Sequence, residues 1–258
     1  MGLVLEQFEP APALRGVIDR ATDFHERAAP LERLESPLVG VVLIVCLGPE
    51  MNIDGRRIGS FAAGVWDRPT VTGHDGEQAG YQLYLDVLEA RRLLGVPASA
   101  LGDELVELED LLGAFGTELI ERLGDARDAA ERHAVAQRLL AGRLSEADDT
   151  APEVACALAR LRATRGAARV EALADEVGWS RRHLTARFSE AVGLPPKAVG
   201  RLIRIEHAVQ RLRAGDGLAD IAYAAGYADQ PHFNRDFREL VGCTPTEFPF
   251  VQDSKIAA

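Results

Sequence analysis

Seven polar side chains near the end of this chain fall into two short runs. Arg181, Arg182, Thr185 and Arg187 make up one, and Gln230, Asn234 and Arg235 the other. A guanidinium fork matches the acceptor pair on the guanine edge, and a side-chain amide matches adenine. An arginine that misses a base edge still meets a phosphate. These types and spacings point to the reading of duplex DNA, provided that each run sits on one exposed helix face. Arg182, Thr185, Gln230, Asn234 and Arg235 then stand nearest the bases, while Arg181 and Arg187 hold phosphates. Ala186 reaches at most a thymine methyl. His183 and His232 precede the apolar Leu184 and Phe233 and are read as packing or capping groups.

The elements that must position these runs form an internal repeat. Ala174 and Ala222 each stand four residues before a glycine, Gly178 and Gly226. Leu184 and Phe233 are each followed four residues later by a phenylalanine, Phe188 and Phe237. Both copies close on Val-Gly and then a proline, at Val192, Gly193, Pro196 and at Val241, Gly242, Pro245. This is the pattern of two short helices crossing around a tight turn. The small residue allows close approach, and the glycine takes a positive φ. Ser180 and Asp229 cap the second helix of each pair. Pro231 falls in a first turn, where no amide hydrogen bond is lost.

The second copy, with Ile221, Ala222, Gly226, Tyr227, Phe233, Arg235, Phe237, Gly242 and Pro245 at its fixed positions, closely resembles the signature of AraC/XylS-type regulators. The resemblance covers about residues 165–248 and includes the joining helix, where Arg204, Ile205, Ala208 and Leu212 fit. It implies two recognition helices entering successive major grooves on one face of DNA. The chain departs from the pattern in three places. Ala186 stands where the family often has arginine, Phe248 and Pro249 where tyrosine and arginine are usual, and Gly200 lies inside the joining helix.

The net charge of −11 divides unevenly. Residues 1–150 carry 14 Lys+Arg and 27 Asp+Glu, whereas residues 151–258 carry 15 and 13. DNA affinity depends on local positive charge, so the acidic total does not oppose the reading. The longest apolar run, residues 41–47, is far too short for a membrane span. Residues 1–10 lack the basic start of a signal peptide, and three scattered cysteines imply neither a disulfide framework nor a zinc site. A cytoplasmic protein is expected, with no membrane partner.

Residues 1–97 read as strand and turn. The run Val41, Val42, Leu43, Ile44, Val45 suits a buried strand, and Tyr81, Leu83, Leu85 and Val87 alternate with polar neighbours as a half-buried one. Turns are expected at residues 52–55 and 75–76, and a helical turn between Ala11 and Asp19. From Leu88 onward the pattern is helical. Leu105, Leu108, Leu112, Phe115, Leu119 and Leu123 form an apolar stripe that Gly113, Gly116 and Gly124 should break into shorter helices. A further helix is expected over residues 126–144.

The expected fold is α+β. A small β-barrel-like sensor domain with helices spans residues 1–145, a linker spans 146–152, and an all-α domain of two helix-turn-helix motifs spans 153–258. The family resemblance implies a small-molecule effector in the first part, with Phe61, Trp66, Tyr81 and Tyr84 as candidate lining. Residues 93–99 and 108–113 also look like an uncharacterised sensor-type domain found ahead of such motifs. The stripe suggests a homodimer. No HxH with a carboxylate, GxSxG, P-loop or dinucleotide fingerprint occurs. His25, His74 and His133 stand alone in sequence, and Cys46 reads as a small core residue. No cofactor or metal is expected, and the protein is read as a transcriptional regulator and not an enzyme. The rival is an enzyme domain fused to a DNA-targeting unit.

Overall fold

The computed structural model describes residues 2–144 and 150–248. Of the expected linker, residues 146–149 lie outside these, as does Pro249.

The first part is built from strands β1 (Leu3–Phe8), β2 (Ile18–Arg27), β3 (Leu31–Leu34), β4 (Val41–Cys46), β5 (Met51–Ile53), β6 (Arg56–Ile58), β7 (Phe61–Ala63), β8 (Val71–His74) and β9 (Glu77–Leu85). Helix α1 (Arg91–Leu94), strand β10 (Leu105–Glu107) and helices α2 (Leu108–Leu112), α3 (Ala114–Gly124) and α4 (Ala129–Arg143) follow. The strands make two antiparallel sheets, ordered β1-β2-β9-β4-β7-β10 and β3-β8-β5-β6. They face each other without closing, so the expected barrel-like region takes the form of an open two-sheet arrangement.

Each strand of the larger sheet shows a different side chain to each layer, as the period of two requires. Val41, Leu43, Val45, Tyr81, Leu83 and Leu85 pack toward a core shared with Leu119 and Leu123 of α3 and Leu140 of α4. Phe24, Ile44, Phe61, Ala63 and Leu105 instead meet Met51, Ile53 and Ile58 of the smaller sheet. The 52–55 turn forms between β5 and β6, with Asp54 and Gly55 both at positive φ, as a two-residue hairpin turn demands.

Two sequence readings need correction. Leu105, placed at the head of a helical stripe, lies in β10 and pairs with Ala63. A short apolar run before a helix carries no period of its own, and here the sheet edge claims it. The stripe itself is consumed inside the chain: Leu105, Leu108, Leu112, Leu119 and Leu123 are at most 8% exposed. The guanidinium of Arg143 covers half-buried Phe115, 4.7 Å from its ring centre. The stripe therefore offers no surface to a second copy. The helical turn expected between Ala11 and Asp19 is a single 3₁₀ turn, Pro12–Leu14, before β2 begins.

The second part is helical: α5 (Pro152–Ala163), α6 (Val170–Glu176), α7 (Arg181–Val192), α8 (Pro196–Arg213), α9 (Leu218–Ala224) and α10 (Gln230–Val241). Gly200 has a packing reason for its place in α8. The turn at Gly166, after α5, rests on it, and the Gly166 carbonyl lies 3.1 Å from where a Cβ on Gly200 would stand. No helix among the described residues is long and apolar enough to cross a membrane.

Candidate nucleic-acid interface and effector cavity

Each motif is one helix, a glycine turn and a second helix. Gly178 and Gly226 hold the turns at φ +71° and +73°, where a Cβ would be strained. The Ser180 hydroxyl accepts from the His183 N–H at 3.2 Å, and the Asp229 carboxylate accepts from the His232 N–H at 2.7 Å. Leu184, Phe188, Phe233 and Phe237 are wholly buried, which fixes the opposite face of each helix outward. The two histidines pack as read: Trp179 meets His183, and Tyr227 meets His232, edge-on at 4.5 and 5.1 Å.

On the outward face of α7, Arg181, Arg182 and Arg187 are exposed and Thr185 is half-buried. Arg181 is bound to Glu171 at 2.7 Å, and Arg187 to Glu190 at 2.5 Å. On α10, Gln230 and Arg235 are exposed. Asn234 differs, because it is half-buried and its amide oxygen is enclosed without a hydrogen-bond partner among the described residues. It lies one helical step from Phe233, at the border between the buried and the outer face.

One structural group escaped the sequence reading. Asp236 is buried on α10 and accepts from Arg201 of α8 at 3.2 and 3.4 Å and from the Tyr227 hydroxyl at 3.3 Å. Arg201 also reaches Glu239 at 2.8 Å. Burial, then the nearby Asp236 charge, pushes the Tyr227 phenol up, so it stays a hydrogen-bond donor. This network ties the second recognition helix to the joining helix. The signal in sequence was an acid three residues after a core phenylalanine, which spacing alone does not separate from a surface acid.

Between the two sheets lies a cavity of about 230 Å³. Phe24, Val42, Ile44, Met51, Ile53 and Phe61 make its apolar wall, and Arg33, Arg68, Thr72, Gln78, Gln82 and Arg213 supply polar groups. Arg213 comes from the end of α8 and donates to the Ser36 hydroxyl at 3.3 Å. Of the four candidate lining residues, Phe61, Trp66 and Tyr84 face this cavity. The indole N–H of Trp66 is enclosed and unpartnered among the described residues, and the Arg68 guanidinium covers its ring at 4.2 Å. Arg20 covers Tyr84 at 3.9 Å. Tyr81 is excluded. It stands three residues from Tyr84, an odd step that turns it to the other face of β9, where its hydroxyl meets His133 Nδ1 at 2.8 Å. His133 also stacks on Phe8, 4.6 Å between ring centres.

The other isolated groups have structural settings as well. His74 is buried beside Glu26, which also receives Arg33 at 2.7 Å and Gln78 at 2.9 Å. Burial raises the Cys46 thiol above its ordinary pKa. No cluster of metal-ligating residues occurs among the described residues.

The two parts meet at several points. Arg162 of α5 binds Asp86 at 2.7 Å, and the Val39 N–H donates to Glu206 of α8 at 3.0 Å. The Ser99 hydroxyl bonds to the Glu190 carbonyl of α7.

Residues 173–249 match the family model described as a helix-turn-helix domain. An uncharacterized HTH-type transcriptional regulator of Staphylococcus aureus is 34% identical over 77 residues, 30% of this chain and 10% of that one. The HTH-type transcriptional activator RhaS of Escherichia fergusonii is 32% identical over 87 residues, 33% of this chain and 31% of that one. The chain thus aligns with about a tenth of the first and about a third of the second. Among solved structures, ToxT from Vibrio cholerae has the same fold over 97% of this chain and 99% of its own, with a TM-score of 0.54 at 11% identity. A form of ToxT bound to an unsaturated fatty acid matches over 96% and 95%, with a TM-score of 0.50 at 12% identity. The doubled motif and these matches agree: residues 173–249 of this chain match a helix-turn-helix domain, and the chain as a whole shares the ToxT fold.

Proposed function

We propose that this protein is a sequence-specific DNA-binding regulator of transcription, controlled by a small molecule held between its two sheets. The observation that carries the first half is the doubled motif. Two capped helices of equal length, α7 and α10, each turn exposed polar residues away from a phenylalanine-anchored core. In this reading Arg182 and Thr185 on α7, and Gln230 and Arg235 on α10, read base edges. Arg181 and Arg187 exchange exposed carboxylate partners, which contribute little in water, for phosphates. Asn234 joins the readers once its amide turns outward. The acidic first part keeps the chain from coating DNA at random, while the arginines act locally.

The second half rests on the cavity. Its apolar walls with arginines at the margin suit a molecule with an apolar body and an anionic head. Two ToxT structures support that class, one holding an unsaturated fatty acid and one (E)-4-(8-methylnaphthalen-1-yl)but-3-enoic acid. Phe61, Trp66 and Tyr84 would then contact the effector. Such a regulator acts in the compartment that holds the chromosome. A homodimer would double the reading heads at high effective concentration, through a surface other than the buried stripe. Sedimentation of the full chain tests this, with a monomer on and off DNA as the contrary result.

The deciding experiment is selection of duplexes from a random pool by the full-length chain, followed by binding to the selected and a scrambled duplex. Enrichment of a common sequence, bound more tightly than the scramble, is the expected result. Equal binding to both, or none, would overturn the reading.

A further inference from the structure

Resting on the reading that the cavity holds an effector, we propose that its occupancy is passed selectively to the second helix-turn-helix motif, through Leu34 and Pro69 pressed against Gly242. Arg33 and Glu35 line the cavity, and Leu34 lies between them. Arg68 and Thr70 line it too, and Pro69 lies between those. Leu34 closes β3, where successive side chains point to opposite sides, and neither Leu34 nor Pro69 lines the cavity. Both instead meet Gly242, the residue that ends α10. Leu34 Cδ2 and Pro69 Cβ each come within 3.1 Å of where a Cβ on Gly242 would stand. A single thickness of backbone therefore separates the effector from the end of the second recognition helix.

The two segments are bonded to each other. The Glu35 N–H donates to the Thr70 carbonyl at 2.8 Å, and the Thr72 hydroxyl donates to the Glu35 carboxylate at 2.6 Å. The second motif is held at its other flank by the same wall, since Arg213, five residues before α9 begins, reaches Ser36. The first motif is docked one layer further out, on the turn at residues 98–102 that stands between it and cavity-lining Gly64. Gly193, which ends α7, faces Ser99, whose Cα lies 3.4 Å from the equivalent Cβ position, and Ser99 does not line the cavity. Packed contacts of this kind shift between discrete arrangements instead of deforming smoothly. An occupant that displaces the wall thus reorients α10 relative to α7 and changes whether both helices fit successive grooves.

Hydrogen exchange on the full-length chain, with oleate as the probe, tests this. Expected is slowed exchange in β4, β5 and β7, accompanied by a several-fold change in residues 230–243 and little change in 181–193. The Leu34→Ala, Pro69→Ala double variant should keep the response of the strands and lose that of 230–243. Comparison of the two motifs in the unaltered protein carries the test even if the variant folds poorly. Strand protection with no change in 230–243, or with equal change in both motifs, would overturn the coupling alone. No strand protection would remove the effector reading and the coupling with it.

Discussion

In the first motif the charged side chains of α7 pair with exposed acids on the same motif, Arg181 with Glu171 and Arg187 with Glu190. In the second, the charge nearest the core, Asp236, is spent on Arg201 and Tyr227 and binds α10 to α8. The backbones are alike, with the same turn and the same capping position, yet the attachments differ. Exposed pairs exchange partners at little cost, which in the proposed reading leaves the arginines of the first motif available to phosphates. A buried carboxylate deprived of its partners is costly, so the second motif holds its helix in one orientation. In the proposed reading the specific contacts there fall to Arg235 and Gln230, which stand clear of that network.

The common backbone can be broken most strongly at the phenylalanines. Phe188→Ala and Phe237→Ala should each destabilise by about 3–5 kcal/mol, read by urea unfolding of the full chain. A much smaller loss at one of them would mean that the two motifs are not packed alike. Asp236→Ala should cost about 1–3 kcal/mol, as a lost charged hydrogen bond does, while Glu190→Ala stays within about 0.5 kcal/mol. Equal losses would erase the contrast between buried and exposed pairing. On DNA, Arg235→Ala should cost about 1–3 kcal/mol at the selected duplex and relax discrimination at one base position. Arg187→Ala should weaken all duplexes alike and lower the salt slope by about 1. If both variants lose affinity evenly across sequences, Arg235 contacts phosphate.

A smaller effect concerns the joint between the two parts. Burial pushes the Glu206 carboxyl up to about 7, against the opposing pull of the Val39 N–H. With the native value above the ordinary 4.5, the folded chain binds the extra proton between these values. Its stability therefore declines as pH rises from about 4.5 to about 7, and the loss is complete above that. Glu206→Gln should flatten this part of the thermal-stability profile. An unchanged profile would show that Glu206 titrates as an exposed acid.

The helix-turn-helix repeat is legible in sequence because its geometry needs particular residues at particular offsets. Gly178 and Gly226 must take positive φ, and Leu184 and Phe188 must share a face. The cavity was only partly legible. Phe61, Trp66 and Tyr84 are apolar aromatics of a β-rich region, but their convergence depends on two sheets meeting. That is set by pairings such as Leu105 with Ala63, far apart in sequence. Tyr81 shows the limit: composition places it with Tyr84, and the parity of the strand separates them. Asp236 shows another, since its partner Arg201 lies on a different helix. The stripe ending at Leu123 was read correctly as apolar, yet only the fold tells which surface it covers.

The most direct test of the account is the affinity of the full-length chain for a selected duplex, measured across a salt series by fluorescence anisotropy. Arginines that displace counterions from phosphates make the logarithm of the affinity fall linearly with the logarithm of salt. The account predicts a steep fall for selected and scrambled duplexes, with the selected duplex bound more tightly throughout. A salt-independent interaction, or one that treats the two duplexes alike at every salt concentration, would contradict it.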